Sequence, residues 1–333
     1  MLKTLKNAFK VKEIRKKILY TLAMLVVIRI GSQLPVPGVD RAYVREWFAS
    51  RTGEAFNFAD AITGGSFLNM SVFALNITPY ITSSIIIQLL TIAIPKLEEM
   101  QKDGEDGRKK LASITRYVTI ALALIESIAL AVGFGRSGLL EQYNALNVIS
   151  VVCTLVAGSA FLMWIGERIT ENGVGNGISI VLTINIISRI PEDLMTLYNQ
   201  FIKNAPNVGN AIIAALVILA VILVTVVFVI FLQDGQRKIP VQYSKKMQGR
   251  RMIGGQSTYI PLKVNTANVI PVIFASSIMS MPVMVAQFFQ VNYSTIGGKI
   301  LLALSSSNWF RPESPGYSVG LLFYIVLIVL FAY

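Results

Sequence analysis

No histidine occurs among the 333 residues. That absence removes imidazole acid–base catalysis, Ser–His triads and histidine metal sites together. The single cysteine, Cys153, lies inside an apolar run, so neither an internal disulfide nor a thiolate cluster can form. Charge is also scarce, at 14% of residues, against about 25% in an ordinary globular domain. Hydrophobic residues make up 54% of the chain, and mean hydropathy is +0.61. From Val208 to Leu232 only one Asn and one Thr interrupt the run, which is well past the ~18 apolar residues that argue for a bilayer span. The sequence reads as an all-α, polytopic membrane protein.

Eight hydrophobic segments are expected to span, at about 18–34, 71–94, 115–133, 146–165, 177–197, 208–232, 267–289 and 317–333. A helix satisfies its own backbone in hydrocarbon, and ~20 residues cross it. Pro191 interrupts the fifth segment towards its outer end. The net charge is +12, and its distribution sets orientation. Twenty of the thirty Lys and Arg residues fall in the 1–17 tail and the 96–114, 166–176 and 233–266 loops; seven fall in the opposite loops. The N-terminus is therefore expected in the cytoplasm. The last run, Ser318 to Tyr333, stops with no basic flank or polar ending, as expected of a fragment of something longer.

Three features inside the spans point away from a simple lipid-facing bundle. Asn76-Ile77-Thr78-Pro79 opens the second segment and Asn268-Val269-Ile270-Pro271 the seventh. These segments run in opposite directions by the charge count, the pattern of an inverted-topology repeat with a site near the midplane. Ile77, Ile81, Ser84 and Gln88 step along one helical face, as do Ile178, Leu182 and Asn185. An amide such as Gln88 without a partner in hydrocarbon costs several kcal/mol, so these faces are expected to look inward. Arg29 and Glu126 are intramembrane charges, for which structural pairing is expected.

Between the first two spans, Phe56-Asn57-Phe58-Ala59-Asp60-Ala61-Ile62 has the length of two helical turns, followed by Gly64-Gly65-Ser66. It reads either as a surface amphipathic loop or as a short helix re-entering the membrane on a glycine hinge. Gly173-Val174-Gly175-Asn176-Gly177 is not a phosphate loop, because the third glycine comes one place early and no strand precedes it. It is expected to join two helices. No nucleotide site, metal site or catalytic constellation is found. The 233–266 loop carries Arg237, Lys238, Lys245, Lys246, Arg250, Arg251 and Lys263 with one acid, Asp234. Its Val241-Gln242-Tyr243 and Thr258-Tyr259-Ile260 stretches read as strands around a turn at Gly249 or Gly254-Gly255. A basic hairpin of this kind suits a phosphate backbone or an acidic protein face.

Taken together, Arg29-Ile30-Gly31 with Pro35-Val36-Pro37, Pro79-Tyr80-Ile81, Ile85 to Leu90, Gly107 to Lys110, Thr115-Arg116-Tyr117, Phe161 to Glu167, Gly175 to Ile180, Gln256-Ser257-Thr258, Pro261 to Asn265 and Val269-Ile270-Pro271 resemble the SecY family. Its members are central subunits of the bacterial protein-conducting channel. The resemblance runs the length of the chain and implies a ten-span pseudo-symmetric clamshell with an hourglass pore. Eight of the ten spans would be present, with the last loop and two spans beyond the C-terminus. A basic tail (1–17), an N-terminal half (18–197) and a partial C-terminal half (198–333) are expected.

On matching positions the resemblance implies a pore ring of Ile77, Ile81, Ile178, Leu182 and Ile273. It implies a plug within about 56–69, including Phe56, Asn57, Phe58, Ile62, Gly64, Gly65 and Phe67. A lateral gate with Gln88, Asn176, Ser277 and Met281 is implied, as is a docking loop of Arg237, Lys238, Lys245, Lys246, Arg250 and Arg251. Implied partners are SecE and SecG, the SecA motor, the ribosome through rRNA contacts, signal peptides and nascent chains, and the bilayer of the bacterial cell membrane. No cofactor and no enzymatic activity are implied. The family pattern usually has glycine where Asn76 stands, and Leu182 replaces a ring isoleucine. A solute transporter, an intramembrane enzyme and an insertase without a through-pore are the rival readings. The transporter would want convergent charges at the midplane.

Overall fold

Helix follows wherever an apolar run lacks a breaker, and each interruption traces to a particular residue. The computed structural model describes residues 9–40, 43–44, 46, 63–136, 138, 140, 142–205, 207–241, 246–248, 251–253, 258–266, 270–288, 294–305, 308–309 and 315–332. Helix α1 (Lys12–Gly31) places Glu13 in its first turn and Arg29 in its last, both favourable to the helix dipole. Helix α2 (Thr78–Ala93) starts with a proline in its first turn, where the missing N–H is harmless. It ends at Ile94, held extended by the proline that follows. Helix α3 (Pro95–Lys102) then leaves at 103° to α2.

Helices α4 (Glu105–Arg136) and α5 (Ala145–Asn172) are followed by α6 (Gly177–Leu197) and a π-helical turn at Tyr198–Lys203. Next come α7 (Val208–Asp234), α8 (Ile270–Phe288), α9 (Ile296–Leu304) and α10 (Val319–Ala332).

Three described helices, α4, α5 and α7, are long and apolar enough to cross a membrane by length and composition, and the bent α2–α3 pair adds a fourth if counted as one span. The other expected spans are helical but differ in detail. Helix α1 carries Arg15, Lys16, Lys17 and Arg29 within its 20 residues, and α10 has 14 residues. The second segment is helical only from Thr78, because 64–77 is a succession of turns around Met70 and Asn76, both at positive φ. Pro191 does not end the fifth helix. It sits inside α6, within an exposed stretch from Ile190 to Thr196.

Two compact units are present: Met1–Pro191 with Phe274–Val326, and Glu192–Ile273 with Leu327–Tyr333. In the first, Val36, Phe67, Met70, Leu75, Leu130, Phe134, Val151 and Leu155 belong to one buried cluster. A second cluster joins Ile28, Phe73, Ile77, Leu162, Ile165, Ile169 and Val181. Small residues let the backbones approach closely. A Cβ at Gly158 would strike the Val72 carbonyl, and one at Gly177 would strike that of Gly166. Polar contacts join other helix pairs. Ser83 and Thr119 share a hydrogen bond between α2 and α4, and Arg116 Nε lies 2.7 Å from Glu167 Oε1 between α4 and α5. Among the described residues Glu126 joins no ion pair, and Arg29 Nη1 is buried without a hydrogen-bond partner. The pairing expected for these two charges is not found among the described residues.

In the second unit, β1 (Gln236–Val241) pairs antiparallel with β4 (Thr258–Lys263), and β2 (Lys246–Gln248) with β3 (Arg251–Ile253). Val241 faces Thr258 in the first ladder, and Lys246 faces Ile253 in the second. Gln248 faces Arg251 at the end of the second ladder, and the expected turn positions Gly249, Gly254 and Gly255 lie outside the described residues.

Candidate functional site

The residues before α2 and those along α6 are where the expected functional positions gather. Backbone amides tie the segment in place: Val36 N donates to Met70 O at 3.0 Å and Val72 N to Leu34 O at 2.9 Å. Within it, Phe67 N donates to Thr63 Oγ1 at 3.3 Å and Ser71 Oγ to Ser66 O at 3.2 Å. Phe67 itself is 3% exposed and belongs to the first core cluster. Gly64, at φ +67°, lies against α6, where an added Cβ would be 2.6 Å from the Asn185 carbonyl oxygen. Gly65 is also at positive φ. Of the plug positions, Gly64, Gly65 and Phe67 are thus described, while Phe56, Asn57, Phe58 and Ile62 lie outside the described residues.

Four of the ring positions belong to the first unit. Ile77 is fully buried in the second core cluster, with the partly buried Ile178 and Leu182 packed against it. Ile81 is half-buried one turn further along α2 and lies outside that cluster. Ile273 belongs to the other unit and is half-buried near the start of α8. The prolines of the internal echo hold equivalent places: Thr78-Pro79 and Ile270-Pro271 are the first two residues of α2 and α8.

The gate positions behave differently from one another. Gln88 is exposed on the last turns of α2. Asn176 is also exposed, and its Oδ1 accepts from Ile178 N at 3.1 Å and Ser179 N at 3.4 Å. Asn176 therefore caps α6, which accounts for an Asn next to the end of the Gly173–Gly177 connection. Ser277 is half-buried on α8, and Met281 lies on the same helix. In the hairpin, Arg237 and Lys238 are exposed on β1, with Lys238 Nζ 4.7 Å from the centre of the Tyr259 ring. Lys246 and Arg251 are strand residues in β2 and β3, and Lys245 and Arg250 lie outside the described residues. No group of three or more metal-ligating residues occurs among the described residues.

Sequence reasoning passed over one contact. Asn185 Nδ2 donates to Asn76 Oδ1 at 3.0 Å, with both residues buried. Each was visible alone, Asn185 on the α6 stripe and Asn76 as a departure from glycine, but nothing in the spacing joins residues 109 positions apart. The positive φ of Asn76, +52°, supplies the reason glycine fits there and the reason asparagine is tolerated.

A family model for SecY matches residues 71–333. The protein translocase subunit SecY of Corynebacterium glutamicum is 42% identical over 98% of this chain and 74% of its own length. The chain belongs to the SecY family. The SecY of Halalkalibacterium halodurans is likewise 42% identical, over 100% of this chain and 75% of its own. Among solved structures, a protein-conducting channel matches with TM-score 0.67 at 20% identity, covering 95% of this chain and 71% of that one. Sec61 in the canine ribosome–channel complex from the endoplasmic reticulum matches with TM-score 0.65 over the same shares, at 20% identity. So does SecY in a structure concerned with its plug domain, which stabilises the closed state and maintains a membrane seal. These likenesses establish the channel fold.

Proposed function

We propose that the chain is the channel-forming subunit of a protein translocase. It is a passive conduit for secretory polypeptides, with a lateral opening through which signal sequences and membrane segments reach lipid. The observation that carries this reading is the 42% identity to a protein translocase subunit along 98% of the chain. The residues give it a mechanism. Branched apolar side chains at Ile77, Ile81, Ile178, Leu182 and Ile273 offer no ligand to an ion, so a stripped ion meets a large desolvation barrier and water tends to leave. An extended polypeptide displaces the same flexible side chains and is surrounded by them.

The 56–69 segment acts as the plug, anchored through Phe67 and fitted at Gly64. The halves 18–197 and 198–333 part along a seam carrying Gln88, Asn176, Ser277 and Met281. Such a seam opens readily, because interhelical hydrogen bonds in membranes average only ~0.6 kcal/mol. The basic hairpin, with Arg237, Lys238, Lys245, Lys246, Arg250 and Arg251, receives the ribosome or SecA in the cytoplasm, and SecE and SecG complete the assembly. The setting is the bacterial cell membrane, crossed many times with the N-terminus inside. The chain supplies no energy and catalyses no reaction. Deleting 56–69 tests the reading: an ion leak across a reconstituted bilayer supports a plugged pore, whereas a sealed membrane with saturable solute uptake would replace it with a carrier.

A further inference from the structure

Three elements of the first unit converge on Asn185. Helix α6 brings its side chain to Asn76, the last residue but one before α2, with Nδ2 to Oδ1 at 3.0 Å. Gly64 brings the glycine end of the plug segment onto the backbone carbonyl of the same residue, so closely that an added Cβ would lie 2.6 Å from it. Asn185 and Asn76 are 3% and 1% exposed, so the amide pair is shielded from solvent. The pair also abuts the ring on both helices. Ile77 follows Asn76 directly, and Leu182 precedes Asn185 by one turn.

We infer that Asn76 and Asn185 form a latch that holds the plug-bearing segment and the ring residues of α2 and α6 in one closed arrangement; the inference rests on the channel reading above. The chemistry suits a bond that holds and lets go. A neutral amide pair excluded from water is held because either partner alone would be left unsatisfied. The bond is also incomplete, because Asn185 Oδ1 is buried with no hydrogen-bond partner among the described residues. Displacement of α6 by a threading polypeptide would bring that oxygen to a backbone N–H of the passing chain, offsetting the lost contact with Asn76. The device depends on a residue particular to this sequence, because a glycine at position 76 has no side chain to donate to or accept from. Asn185 and Asn76 are positioning residues; neither touches the substrate in the closed state.

The test uses the assembled channel in planar bilayers, with ion leak and thermal unfolding measured on the same variants. Asn76→Gly keeps the left-handed backbone at no steric cost and deletes only the amide. The latch predicts that closed-state leak rises about fivefold, the factor expected from one lost buried hydrogen bond, while the unfolding temperature falls by only about 2–4 °C. Asn185→Leu should raise leak by a similar factor, and the double variant no further than either single one, because both act through one bond. An unfolding temperature lowered in Asn76→Gly with leak unchanged would overturn the latch and leave a merely structural contact. Deletion of 56–69 separates the two readings. Leak on deletion but none in Asn76→Gly refutes the latch alone, whereas sealed membranes on deletion refute the channel reading beneath it.

Discussion

Gly177→Ala probes the contact that sets α6 against α5. Gly177 is the first residue of α6, and its N–H donates to Thr170 Oγ1 at 2.9 Å. A Cβ there would overlap the Gly166 carbonyl oxygen and come within 2.8 Å of Ile169 Cβ, and both obstacles belong to one helix. Backbone cannot rotate aside as a side chain can. The helices must therefore part by on the order of an ångström to reach ordinary carbon contact, which also loosens Ile178 and Leu182 from the second cluster. Overpacking of this kind costs about 1–3 kcal/mol. The control is Gly209→Ala in α7, where nothing lies within 4 Å of the added carbon. There a helical glycine replaced by alanine should stabilise by about 0.5–1 kcal/mol. Thermal unfolding in detergent should then shift in opposite directions for the two variants. Shifts of the same sign, or an unchanged Gly177→Ala, would show that the α5–α6 approach is not set by that glycine.

Four further outcomes follow from the geometry. Phe67→Ala should destabilise the first unit by about 3–5 kcal/mol, the usual result of emptying a buried aromatic site, read as a large fall in unfolding temperature. Arg116→Ala and Glu167→Ala should each lose little, since a half-exposed pair contributes about 0.2–1 kcal/mol, and a double-mutant cycle at low and high salt should show the coupling shrink as salt rises. Thr21→Val should cost about 0.5–1.5 kcal/mol, because Thr21 Oγ1 accepts from Val174 N at 3.2 Å and the valine cannot, a loss that thermal unfolding would register. Arg250→Glu with Arg251→Glu should weaken ribosome or SecA binding at physiological salt, and unchanged affinity would move docking off the hairpin tip.

Much of the fold was legible because hydrophobic runs and breakers act locally. Val208 to Leu232 became the apolar core of α7, Pro79 and Pro271 sit in the first turns of their helices, and Gly173–Gly177 joins α5 to α6. Charge and burial were harder to read. Pro191 reads as an interruption, yet α6 continues through it to Leu197. Arg29 and Glu126 were expected to be paired, yet pairing depends on neighbours distant in sequence. The hairpin was partly legible: Thr258-Tyr259-Ile260 lies within β4 and Val241 ends β1, whereas the three-residue strands β2 and β3 are too short to carry a periodicity of their own. For the site, the stripes Ile77–Ile81 and Ile178–Leu182–Asn185 followed from helical period. That Asn76 meets Asn185, and that Gly64 needs to be glycine because of a carbonyl on α6, are facts of tertiary contact with no local signal. Asn176 showed the reverse case, a conspicuous residue whose visible work is to cap a helix.

The most direct measurement is site-specific photo-cross-linking from Ile81 and Ile273 to a secretory chain stalled in transit. A ring that parts around its cargo predicts adducts to the stalled polypeptide from both positions, lost when the chain is released. Labelling by lipid alone, with no adduct to the polypeptide at either position, would contradict the central claim.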